Sequence, residues 1–204
     1  NYFNKNKKYR RGELSITHRA LYYPDDDWST TTSYLDKAYS DVTIVNDKTT
    51  TSYTDYKQKL KDNYEWIHVL VHSTAREHLF DNNWSRLVKY SDVRDIDPKS
   101  LFYLLFACTS SAYNTQNYLA GHYIFSKTYG LASLGTTNAG GITKNSIFYS
   151  PLGPNERKTL GEAYKSWFNQ EYTAASKGNL NGMTLLGDAT LSLDPPIASI
   201  DSVS

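Results

Sequence analysis

The sequence holds almost no sulfur: one cysteine, Cys108, and one methionine, Met183, in 204 residues. A single cysteine excludes an intramolecular disulfide framework. The thiol is then a buried small hydrophobe, a reactive group or a surface accident, and its context must decide. Charge of one sign is also lacking, with 22 lysines and arginines against 21 aspartates and glutamates and a formal net charge of +1. That removes the electrostatic signature of a nucleic-acid or anionic-membrane partner. No apolar run approaches the length needed to span a bilayer, and the opening stretch Asn1 to Arg11 is polar and basic, without the apolar centre of a signal peptide. Internal repeats are absent, as are metal-ligand spacings such as His-Glu-x-x-His.

What is present suits one α/β domain with a sizeable core, and the length is short for two. The 18 tyrosines, together with many Ser, Thr and Asn, give the composition of an exported protein, so the expected location is secreted or cell surface. The segmentation expected is an N-terminal extension over 1–15, the domain over 16–193, and a tail over 194–204. That tail opens on Asp194-Pro195-Pro196 and is Ser-rich, as linkers are.

Periodicity points to strands alternating with helices, the pattern of a mostly parallel sheet covered on both faces. A first strand is expected over 16–23, ending in the acidic turn Pro24-Asp25-Asp26-Asp27-Trp28, followed by a short helix to about Tyr39 and a strand over 41–45. Tyr53, Tyr56, Leu60 and Tyr64 share one face of a helix over 51–64. The nearly unbroken apolar runs 66–71 and 101–107 fit central strands buried on both faces. A long charged connection, 73–100, separates them. Helices over 114–128 and 157–175, a strand over 130–135, a Gly-rich loop over 136–142 and a closing strand or strand pair over 183–193 complete the pattern.

The position of two reactive side chains is the informative feature. Val69-Leu70-Val71-His72-Ser73 puts a histidine at the C-terminal end of one core strand, and Leu105-Phe106-Ala107-Cys108-Thr109-Ser110 puts the cysteine at the same end of another. Open α/β sheets bind ligands in the crevice beyond the carboxyl ends of their strands. There an imidazole can take the proton of a thiol, and the thiolate becomes the nucleophile. The amides of Ser73 and Cys108 lie where the chain turns off the two strands, suited to an oxyanion.

Val71-His72-Ser73, the run Leu105 to Ser111, the strand and loop Gly130 to Asn138 and the ending Thr184-Leu185-Leu186-Gly187-Asp188-Ala189-Thr190-Leu191 resemble, in that order, the gingipain family of clan CD cysteine peptidases. The resemblance runs from about Arg19 to Leu193. It implies a caspase-like three-layer sandwich with a mostly parallel central sheet of about six strands flanked by helices. It also implies a Cys-His dyad of Cys108 and His72, and a substrate pocket built from the loop with Thr136, Thr137, Asn138 and Ile142. An immunoglobulin-like module often follows the domain in that family. This sequence has Ser73 where the family has glycine and Cys108-Thr109-Ser110-Ser111 where the family has Cys-x-[Asn/Ser]-Gly. Ile142 stands near the family's pocket tryptophan, and no acidic residue aligns with the family's arginine-specificity aspartate.

The expected activity is that of a cysteine-type endopeptidase acting on a peptide or protein substrate, without a required cofactor. Its expected preference is for neutral or apolar residues before the cut bond. The alternatives are a catalytically inactive caspase-like binding or scaffold domain of a larger exported protein, and a zinc hydrolase using His68, His72 and His78. For the turn Asp25-Asp26-Asp27 three readings stand. It is a solvated cap, or it supplies a carboxylate, Asp26 or Asp27, to orient His72, as an acidic residue after the first strand does in the gingipains, or it holds a structural calcium. His122 is expected to pack on the helix after the cysteine, and His18 lies at the wrong end of the first strand for chemistry.

Overall fold

A computed structural model describes residues 1–173 and 177–193. The chain forms α1 (Tyr2–Arg10), β1 (Ala20–Pro24), β2 (Val42–Ile44), α2 (Tyr53–Lys59), β3 (Trp66–Leu70), β4 (His72–Ser73), β5 (Glu77–Leu79) and β6 (Leu87–Lys89). Then come α3 (Tyr90–Ile96), β7 (Phe102–Phe106), α4 (Leu119–Ile124), β8 (Ala132–Thr136), α5 (Asn145–Leu152), α6 (Leu160–Glu171), α7 (Lys177–Leu180) and β9 (Met183–Gly187). Six strands make the central sheet in the order β2-β1-β3-β7-β8-β9, and β4-β5-β6 form a separate small antiparallel sheet. All pairings in the central sheet are parallel except β8 with β9. The fold is thus α/β, a mostly parallel six-stranded sheet between helical layers.

Two-residue alternation along the strands divides the core. Ala20 and Tyr22, Trp66 and Leu70, and Phe102 and Leu104 face one layer, which includes Tyr9 of α1, Phe148 and Tyr149 of α5 and Trp167 of α6. Leu21 and Tyr23, Ile67 and Val69, and Tyr103 and Leu105 face the other, against Tyr56 of α2, Val93 of α3 and Tyr123 of α4. Strands buried on both faces are what the unbroken apolar runs signal. Residues 1–15, expected to precede the domain, carry α1, and its Tyr9 is buried in the core. Lys5 is buried as well. Its ammonium donates to the carbonyls of Ile124 and Ser126 at 3.0 and 2.6 Å and to that of Tyr129, and burial pulls it down to about 8.

Several elements are shorter than the periodicity suggests. The helix expected before Tyr39 is replaced by two 3-10 turns, Asp26–Trp28 and Leu35–Lys37. The intervening Ser29-Thr30-Thr31-Thr32-Ser33 run explains this, since hydroxyl side chains compete for backbone partners, as Thr31 does by donating to the Trp28 carbonyl at 2.6 Å. The helix over 114–128 contracts to α4 because the turn formers Asn114 and Asn117 hold the approach, the latter at φ 61°. The connection 73–100 contains the small sheet and α3, and α5, with Pro151 in its last turn, forms between the loop expected over 136–142 and the helix expected from 157. The closing segment is one strand, not a pair. The end of the last helix at Ala174 and Ala175, and the tail 194–204, lie outside the described residues. Among the described residues, no helix is long and apolar enough to cross a membrane.

Candidate functional site

β3 and β7 are parallel neighbours in register, Leu70 opposite Phe106, and the Val71 amide extends the ladder by donating to the Phe106 carbonyl at 3.1 Å. His72 and Cys108 each follow that matched pair by two residues, so they leave adjacent strands at the same edge and continue the same face of the sheet. The Ser73 hydroxyl donates to the Cys108 carbonyl, tying the two strand ends together. Cys108 is half-buried. Thr109 then adopts a left-handed φ of 54°, which turns the chain sharply after the cysteine at a cost for a β-branched residue. The amides that follow are committed elsewhere. Thr109 donates to the Asn138 carbonyl at 2.7 Å and Ser111 to that of Thr136 at 3.0 Å. Gly135 makes room for this segment, since a Cβ there would meet the Ser111 Oγ at 2.3 Å.

The acidic turn reaches the same edge from β1. Pro24 cannot donate to the ladder, but the Asp25 amide does, to the Leu70 carbonyl at 2.7 Å, and the chain then leaves the sheet through the turn Asp26–Trp28. The three aspartates separate in role. Asp27 Oδ2 lies 2.8 Å from His72 Nε2. A carboxylate only accepts, so Nε2 is the ring nitrogen that donates in this contact. Asp26 accepts from the Thr51 hydroxyl at 3.2 Å. Asp25 is buried, accepts the Asp81 amide at 2.9 Å, and is pushed up to about 6, chiefly by burial.

The composition of the turn gave no reason to single out Trp28, yet its ring packs 4.7 Å from that of His72 and 5.8 Å from that of Phe106. It walls the imidazole on one side, and an aromatic face is a favourable neighbour for an imidazolium. Its adjacency to Asp27 was the signal that could have found it. The four residues expected to form the pocket divide. Thr137 is half-buried and Asn138 exposed, whereas Thr136 is fully buried with its hydroxyl accepting the Asn138 amide at 3.0 Å, and Ile142 sits in the core. The side chains of Thr136 and Ile142 thus support the loop from below.

The histidines do not converge. His68 is buried on one face of the sheet, bonded to the Tyr149 hydroxyl at 3.1 Å, and His78 is buried in the opposite layer against the Tyr123 hydroxyl at 3.1 Å. Burial pulls each down to about 3, so both are neutral. His122 packs its ring 5.0 Å from Tyr90, and His18 pairs with Glu65 at 2.5 Å. Among the described residues, the side chains grouped closely enough to share a metal ion are Asp25, Asp26 and Asp81, whose ligand oxygens lie within 4.8 Å of one another.

No protein-family model matches the chain, and no curated protein matches it. Solved structures do. A structure described as a protease is 12% identical with a TM-score of 0.68, over 95% of this chain and 52% of its own. The Arg-specific cysteine proteinase gingipain R is 12% identical with a TM-score of 0.70, over 94% and 52%. The complex of the pro- and mature domains of RgpB from Porphyromonas gingivalis is 11% identical with a TM-score of 0.67, over 94% and 53%. The chain therefore spans about half the length of the structures it matches. With six strands in a mostly parallel sheet between helices, and this likeness over nearly all of its residues, the chain has the caspase-like fold of the gingipains.

Proposed function

We propose that the protein is a cysteine endopeptidase in which Cys108 is the nucleophile and His72 the base. The supporting observation is the register of β3 and β7, which sends both residues off adjacent strands at one edge, each two positions beyond the Leu70–Phe106 pair. The Cys108 thiol gives its proton to His72 Nδ1, and the thiolate attacks the peptide carbonyl. The proton passes to the departing amine as the C–N bond breaks, and water then releases the acyl group from sulfur. The amides of Ser73 and Cys108 hold the oxyanion. Asp27 is a positioning residue, fixing the tautomer and ring orientation of His72 through Nε2. Neutral or apolar residues are preferred before the cut bond, because a guanidinium buried without a carboxylate is costly and the loop 136–142 offers none. A secreted or cell-surface setting belongs to the same proposal and rests on composition.

Labelling with a thiol-reactive peptide electrophile is the test. Wild-type protein should be modified at Cys108 and cleave a peptide library, Cys108→Ala should do neither while staying folded, and His72→Ala should slow labelling by orders of magnitude. Turnover surviving in Cys108→Ala would end the proposal. A second reading, a binding domain without turnover, is favoured by the Ser73 hydroxyl, which spends itself on the Cys108 carbonyl beside the expected oxyanion site. Slow labelling of the wild type, no faster than that of free cysteine, would select it.

A further inference from the structure

A cavity of about 760 Å³ opens between α1, the end of α4 and the end of β9. It lies at the edge of the sheet opposite His72 and Cys108. Gly187 in its wall pairs with Ala132 at the start of β8, whereas the two reactive residues follow the far ends of β3 and β7, which run parallel to β8. The peptidase reading makes no use of it.

Its lining is of two kinds. Phe3 and Phe125 are 79% and 63% exposed, and the Tyr2 ring packs edge-on against both, at 5.7 and 5.9 Å. Large aromatic side chains left open in one cluster mark a surface that another molecule covers. Beside them run Lys7, Arg10 and Arg11, against one carboxylate, Asp188, which Arg10 already meets at 2.8 Å. Lys7 is exposed, and Arg11 reaches only the exposed Glu13, at 3.6 Å. Phe3, Lys7 and Arg11 are spaced four apart and all line the cavity, so they form one row along α1, aromatic at one end and cationic at the other, over about 12 Å.

The walls are fixed in advance. The Lys5 ammonium holds α1 to the carbonyls of Ile124 and Ser126, the Tyr2 hydroxyl donates to the Leu131 carbonyl at 2.7 Å, and Asn6 donates to Asp188 at 2.7 Å. A groove held by such contacts loses little entropy when it is occupied.

We propose that this groove docks an extended acidic segment of a partner protein, with an apolar or aromatic side chain seated among Tyr2, Phe3 and Phe125 and carboxylates on Lys7 and Arg11. An extended chain covers the length of the row in about four residues, which sets the spacing between anchor and acid. Charge complementarity selects the occupant, since cations beside an apolar cleft repel a basic segment and leave a neutral one unpaired. A membrane or a nucleic acid fits less well, because each offers a broad anionic surface and the net charge of the chain is only +1, so its positive charge is local. Docking at this edge recruits a partner while leaving the proposed nucleophile open.

Heptapeptides displayed on phage are selected against the whole chain carrying Cys108→Ala, so that no peptide is cut, and an enriched peptide is then measured by fluorescence anisotropy. The expected consensus is Phe, Trp, Tyr or Leu followed three to four positions later by Asp or Glu. Its dissociation constant should be on the order of 10 μM and weaken about fivefold when salt is raised from about 0.05 to 0.5 M. Phe3→Ala, and Lys7→Glu combined with Arg11→Glu, should each weaken binding by about tenfold or more without changing the melting temperature, because all three side chains are exposed. The same substitutions in the otherwise unaltered chain should leave electrophile labelling of Cys108 unchanged, so this proposal and the peptidase reading fail separately. No enrichment, a consensus without acidic residues, or full affinity in the variants would overturn the docking site. So would an enriched peptide that blocks labelling of Cys108, or binding to phosphatidylserine vesicles in place of peptides. Should a variant not fold, the consensus and the salt dependence of the unaltered groove still decide.

Discussion

The hydroxyl of Ser73 donates to the carbonyl of Cys108, so the residue after the proposed base is bonded directly to the proposed nucleophile. Glycine, which the gingipain resemblance places here, has no side chain for such a bond. Ser73→Ala should cost about 1 kcal/mol of stability, the usual worth of one partly buried hydrogen bond. If the bond also restrains the cysteine, electrophile labelling of Cys108 in this variant will be faster. Denaturant melts and labelling rates measured together decide, and unchanged values in both would show the contact to be incidental.

Asp27 and His72 form an exposed pair, with side-chain exposures of 36% for the histidine and 59% for the aspartate. Exposed pairs contribute about 1 kcal/mol at most. Asp27→Asn should therefore lower turnover by less than about tenfold, against complete loss for Cys108→Ala. A thousandfold loss would assign the carboxylate a larger part than orientation.

Gly135 lies under the segment after the nucleophile. Gly135→Ala should destabilise the protein by about 1–3 kcal/mol and slow labelling, because the new methyl meets the Ser111 Oγ at 2.3 Å. That oxygen is buried and makes no hydrogen bond, so Ser111→Ala alone should cost little and should rescue Gly135→Ala. Melting temperatures of the four proteins in the cycle test this, and additive effects would refute the clash.

Stability should fall on acidification. His68 and His78 are pulled down to about 3 by burial, so between pH 6.5 and about 3 the unfolded chain binds more protons than the folded one. Each histidine should remove about 3 kcal/mol by pH 4.5. Asp25 works in the opposite sense, since its raised value of about 6 makes the folded state the better proton binder between about pH 3.8 and 6, but one carboxylate does not offset two histidines. Melting curves from pH 7.5 to 4.5 should show the fall, and His78→Gln should flatten it. A flat profile in the wild type would mean that water reaches these rings.

The sequence made the centre of the protein legible because β3 and β7 are buried on both faces and so read as continuous apolar runs, with His72 and Cys108 directly at their ends. Edges were harder. β2 forms within the strand expected over 41–45, but α5 hides behind Pro151, which local rules read as a helix breaker although it falls in the last turn. In the site, the acidic turn stood out by composition, but which aspartate meets His72 depends on how a 3-10 turn rotates, so residue counting left Asp26 and Asp27 open and only the gingipain resemblance favoured Asp27, the one in contact. Trp28 had only its adjacency to Asp27 to mark it. Its partners, His72 and Phe106, are distant in sequence and are brought to it only by strand pairing.

The carboxylate of Asp188, just past β9, is held by Asn6 at 2.7 Å and by Arg10 at 2.8 Å, both on α1, and by Thr190 at 2.6 Å. Burial alone would raise its pKa, yet these donors keep it well below the ordinary range. Asn6 and Asp188 are 182 residues apart, so this clasp waits until β9 and the residue after it have left the ribosome. His72 and Cys108 emerge much earlier, and until β9 arrives β8 presents a bare strand edge, an invitation to pair with another nascent chain. The order of synthesis therefore sets a vulnerable interval: the strands that carry His72 and Cys108 are made before the strand that covers the β8 edge.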